Sequence, residues 1–122
     1  MSTQPNILVV GHDPMLLQSR RLILGTYFDV TAAGRVSEAG TMLARHNFGL
    51  VVLCDTLTDT ECDQIGELIR DRNPPPKVFS LLGPGSKNRE KSLGRRLECS
   101  GGPLQLVREC ADALGFDLRK RA

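Results

Sequence analysis

The stretch Phe48-Gly49-Leu50-Val51-Val52-Leu53-Cys54-Asp55 is an unbroken apolar run that stops at a thiol and a carboxylate. A strand with one face in water alternates apolar and polar residues, and this one does not. It therefore needs cover on both faces, which confines it to the interior of a parallel sheet with helices above and below. In open α/β sheets chemistry collects outside the carboxyl ends of such strands, so Cys54 and Asp55 mark the place to look.

The rest of the chain supplies the layers that this strand requires. An apolar run at 6–10 leads into Gly11-His12-Asp13-Pro14, where Asp13 suits a helix N-cap and Pro14 the first helical position. The helix expected over 14–25 carries Leu16, Leu17, Ile23 and Leu24 on its apolar side and Arg20 and Arg21 toward water, with Gly25 as its stop. A short strand is expected over 28–32 and a helix over 37–45, where Val36, Ala39, Gly40 and Leu43 permit close approach to a sheet. The strand 50–54 follows, then a helix over 59–72 facing inward through Cys62, Ile65, Leu68 and Ile69 and ended by Asn73-Pro74-Pro75-Pro76. A strand is expected over 77–82. Residues 83–92 are polar and nearly empty of apolar side chains, enough for a short or irregular helix only. A weak strand over 96–99 and a last helix with Leu104, Val107, Cys110, Ala111 and Leu114 at helical spacing, capped by Gly115, complete the alternation. Strands and helices in this order with short connections imply right-handed crossovers in one parallel sheet.

Composition narrows the function. At 122 residues the chain is read as one domain, with 40% hydrophobic and 25% charged residues, near the globular average. A net charge of +2 gives no argument for nucleic acid, and the cluster Lys87, Lys91, Arg89, Arg95 and Arg96 reads as a solvated basic face. No run reaches membrane-spanning length and no leader pattern opens the chain, so a cytoplasmic setting without membrane contact is expected. Cys54, Cys62, Cys99 and Cys110 show no C-x-x-C spacing and read as small buried hydrophobes. A zinc site built from Cys54, Cys99 and His12 lacks a recognisable short spacing, and Gly83-Pro84-Gly85-Ser86-Lys87 lacks the residue order of a phosphate loop. His46 reads as a helix-end residue.

The β-then-α alternation, opening with Ile7-Leu8-Val9-Val10-Gly11-His12-Asp13-Pro14 and containing Phe48 to Asp55 followed by Thr56-Leu57-Thr58-Asp59, resembles the receiver domain of bacterial response regulators over 6–116, leaving 117–122 as a short basic tail. The resemblance implies a flavodoxin-like, doubly wound, five-stranded parallel sheet of order 2-1-3-4-5, a pocket between strands one and three, and a shortened or irregular fourth helix. Receivers accept a phosphoryl group on an aspartate after strand three, hold Mg²⁺ with an acidic pair after strand one, and sense phosphate with a hydroxyl residue and a lysine. Carried over, the acidic pair falls on Gly11 and His12 with Asp13 flanking, the acceptor on Cys54, the hydroxyl on Leu82 and the lysine on Cys99 or Ser100. Positioning and charge neutralisation drive phosphoryl transfer, so these replacements together remove its means.

The expectation is a stand-alone, degenerate receiver-like module, not an enzyme and without cofactor or bound metal, acting on another signalling protein such as a histidine kinase or transcription regulator, with a homodimer left open. Two alternatives stand beside it. In one, Asp55 is the phosphoacceptor for a histidine kinase and Mg²⁺ is required. In the other, Cys54 and Cys99 form a thiol redox sensor.

Overall fold

A computed structural model describes residues 6–72, 75–82, 95–98 and 103–115. The elements are β1 (Asn6–Val10), α1 (Pro14–Gly25), β2 (Asp29–Ala33), α2 (Val36–Arg45), β3 (Leu50–Leu53), α3 (Asp59–Arg70), β4 (Lys77–Leu82), β5 (Arg95–Glu98) and α4 (Pro103–Leu114). The strands form one sheet of order β2-β1-β3-β4-β5, and every pairing is parallel. The expected topology is therefore the observed one. The short helix expected within 83–92 and the tail 117–122 lie outside the described residues.

The apolar run that organises the sequence divides its side chains between two cores. Leu50, Val52 and Cys54 join Ile7, Val9, Phe79 and Leu81 beneath α1 and α4, whereas Val51 and Leu53 join Leu8 and Val10 beneath α2 and α3. Val9, Val51, Val52 and Leu53 are wholly buried and Phe79 nearly so. Full burial of one such side chain stabilises the fold by about 1.5 to 3 kcal/mol.

Local signals fix the helix ends. The Asp13 carboxylate accepts from the backbone N–H groups of Met15 and Leu16, with Pro14 beginning α1. Thr58 caps α3 reciprocally: its hydroxyl accepts from Glu61 N, and the Glu61 carboxylate accepts from Thr58 N. Gly115 follows α4 with φ of 65°, a left-handed position that favours glycine. At the amino ends of the central strands, Lys77 Nζ donates to Ala113 O at 2.5 Å, and a Cβ on Gly49 would stand 2.8 Å from Leu114 Cδ2.

Several expectations need correction. β2 begins at Asp29 rather than 28 and runs to Ala33; β3 ends at Leu53, so Cys54 starts the loop; and α3 stops at Arg70, before the prolines. Leu16, Leu68 and Leu104 are 40%, 40% and 64% exposed, because each sits at the edge of its helix's apolar stripe. Leu68 nonetheless lies across α2, since a Cβ on Gly40 would be 3.5 Å from its Cδ1. Arg20, expected in water, is turned inward with a side chain only 13% exposed.

Candidate functional site

Parallel pairing of β1 with β3 puts Val10 beside Leu53 and delivers Gly11 and Cys54 side by side at the carboxyl end of the sheet. Cys54 N donates to Val10 O at 2.8 Å and Gly11 N to Ala33 O at 3.1 Å, so the ladder holds both loops in place. A turn closed by Leu57 N to Cys54 O then brings Thr56 over Gly11. A Cβ built on Gly11 would stand 2.7 Å from Cys54 Cβ, 2.9 Å from Cys54 Sγ and 3.3 Å from Thr56 Oγ1. Glycine is thus required at this position by closeness of approach. The space in which a side chain at position 11 would sit is taken by Cys54.

His12 points the other way, toward the rim. Its N–H donates to Thr56 Oγ1 at 2.9 Å, its Nδ1 is 3.1 Å from Gly34 O and its Nε2 is 2.6 Å from Glu61 Oε2. The side chains of His12 and Glu61 are 42% and 22% exposed. The Glu61 carboxyl is held below its ordinary pKa, first by the Thr58 backbone N–H and then by His12, against a partial desolvation.

The other expected positions are spread around this pair. Asp13 is engaged in capping α1. The Asp55 Oδ1 lies 3.8 Å from Arg20 Nη2, with the Asp55 side chain 22% exposed. Leu82 ends β4, opposite Glu98, while Cys99 and Ser100 fall outside the described residues. Cys54, Cys62 and Cys110 are buried, as expected of small apolar side chains. Burial, followed by the charge of Glu109, pushes the Cys110 thiol up to about 12. Among the described residues no group of three His, Cys, Asp or Glu could hold a metal ion, and no helix is long and apolar enough to cross a membrane. A separate open groove lies between α1 and β2, lined by Leu17, Arg21, Leu22, Phe28 and Val30, and does not include Cys54 or Asp55.

Three residues at this end were not singled out from the sequence. Glu61 carried a readable signal, the Thr-x-x-Glu spacing of Thr58 and Glu61 ahead of an apolar run. Thr56 and Arg20 carried none, because their roles depend on how distant loops meet.

No family model matches the chain, and no curated protein matches it. Solved structures do. A CheY-like response regulator receiver domain protein from Methanospirillum hungatei JF-1 superposes with a TM-score of 0.76 at 19% identity, over 93% of this chain and 95% of that one. The signal receiver domain of an HD domain-containing protein from Pseudomonas fluorescens Pf-5 gives 0.74 at 20% identity, over 92% and 95%. A structure described as adenylate cyclase from Rhodopirellula baltica gives 0.73 at 17% identity, over 92% and 88%. The fold of this chain is that of the response regulator receiver domains.

Proposed function

We propose that the chain is a signalling module of the two-component response regulator kind that works by protein–protein interaction and lacks the phosphorylation chemistry usual in receivers. The observation that carries this reading is the contact of Gly11 with Cys54, the two positions where the resemblance puts a metal-binding carboxylate and the phosphoacceptor. Phosphoryl transfer depends on positioning and on neutralising charge. A thiol packed on a glycine supplies neither, and the neighbouring His12 is engaged with Glu61 and Gly34. The partner is another signalling protein, such as a histidine kinase or a transcription regulator, or a second copy of the chain. The setting is cytoplasmic, and neither a nucleic acid nor a membrane is the target.

The phosphorelay reading, with Asp55 as acceptor and Mg²⁺ as cofactor, has less support, because Asp55 stands beside Arg20 and not beside an acidic pair. The thiol-sensor reading requires Cys54, only 2% exposed, to reach Cys99. Acetyl phosphate and beryllofluoride, each with Mg²⁺, test the proposal. The expected result is no phosphoryl mass gain and no amide shift around Asp55. A mass gain that disappears in Asp55→Asn would install the phosphorelay reading in its place.

A further inference from the structure

His12 is held by backbone and ring: its backbone N–H donates to Thr56 Oγ1 in the β3–α3 loop, and its ring Nδ1 meets Gly34 O in the β2–α2 loop. Its Nε2 also meets Glu61 Oε2 on α3 at 2.6 Å. These partners dictate where hydrogens must lie on the ring. A backbone carbonyl offers only lone pairs, so Nδ1 must donate to Gly34 O. The Glu61 carboxyl favours its ionised form, since its other oxygen accepts the Thr58 N–H at 2.9 Å. An ionised carboxylate only accepts, so Nε2 must donate as well. A neutral imidazole has one N–H and cannot make both bonds.

The charged surroundings agree with this arrangement. On the loop of His12 itself, Asp13 is committed to the start of α1. From the β3–α3 side, Asp55 is beside Arg20, and the α3 group in contact with the ring is Glu61. From the β2–α2 side the contact is the uncharged Gly34 carbonyl, with Arg35 next in the chain. The ring is 42% exposed, so its protons exchange with solvent without the fold having to open.

We propose that the His12 ring is a pH-operated clasp joining the β1–α1 loop to the β2–α2 loop and to the first turn of α3, closed while both ring nitrogens carry a hydrogen and opened when either leaves. Raising the pH removes one donor and releases Gly34 or Glu61. Lowering it far enough protonates Glu61 and weakens the same contact from the other side. The clasp is independent of the signalling reading above, because its test observes only the ring and the loops.

The test is nuclear magnetic resonance of the full chain labelled with nitrogen-15, following the His12 ring nitrogens and the amides of Gly34 and Glu61 across pH. Both ring nitrogens should resonate as protonated while the amides hold their closed positions. As pH rises, the ring and these two amides should move in one joint transition. Glu61→Gln retains a side-chain oxygen for Thr58 N but removes the charge, and should displace that transition to lower pH; His12→Gln should abolish it. If either variant fails to fold, the unsubstituted protein still decides. A ring with one bare nitrogen in the closed state, or amides that do not follow the ring, would overturn the clasp.

Discussion

At its inner edge the site is closed by Gly11 against Cys54, where a Cβ on the glycine would lie 2.7 Å from the Cys54 Cβ. At its outer edge it is closed by His12 against Glu61, whose side chains are 42% and 22% exposed. The inner contact is steric and dry, so neither salt nor pH should alter it. The outer contact is made of hydrogen bonds and charge in partial contact with water, where an ion pair is worth little and is screened. One end of the sheet thus combines a fixed wall with an adjustable rim.

The largest effect should come from the wall. Gly11→Ala places a methyl group in occupied space and should cost about 1 to 3 kcal/mol, measured by chemical denaturation. The loss should persist in a Cys54→Ala background, since the Cβ contact remains, and shrink in Cys54→Gly. A Gly11→Ala variant as stable as the parent would break the comparison. By the same reasoning, Gly11→Asp alone cannot rebuild an acidic pair unless the ends of β1 and β3 first move apart.

An intermediate effect belongs to the residue that caps the helix carrying Glu61. Thr58→Ala removes the hydroxyl that accepts from Glu61 N and should cost about 1 kcal/mol, the usual worth of a helix N-cap. The expected signature is a loss of hydrogen-exchange protection confined to the first turn of α3. A loss spread through α2 and the sheet would mean that Thr58 supports more than its helix.

The smallest effect is at the rim itself. Because the folded Glu61 pKa lies below its ordinary value of 4.5, its contribution is complete above that pH and is lost as the pH falls through the folded value. Glu61→Gln should therefore flatten the acid limb of the stability profile and change neutral stability by only about 0.2 to 1 kcal/mol. An unchanged acid limb would show that the contact carries no stability.

How much of this could be read from residues follows from the distances along the chain. β1, β3 and β4 are buried on both faces, so their apolar runs reveal them directly, and Asp13 and Gly115 announce helix ends through local chemistry. Exposed stripe edges such as Leu104 were misjudged because helical periodicity gives the direction of a face and not its width. The site was less legible. His12 and Glu61 are 49 positions apart, and their meeting depends on the sheet register together with the reciprocal cap at Thr58. The inward turn of Arg20 depends on Asp55 arriving from a different crossover. Resemblance identified Gly11 and Cys54 as replaced positions but could not show that each replacement accommodates the other.

The anchoring of α4 has a consequence for the strands beside it. The end of this helix rests on Gly49, just ahead of β3, while the Ala113 carbonyl receives the ammonium of Lys77, the first residue of β4. Both anchors are non-local, and closing such contacts costs chain entropy before it returns any stability. The final turn of α4 therefore fastens the amino ends of two neighbouring strands with one short stretch of chain, so that fraying of this turn loosens β3 and β4 together.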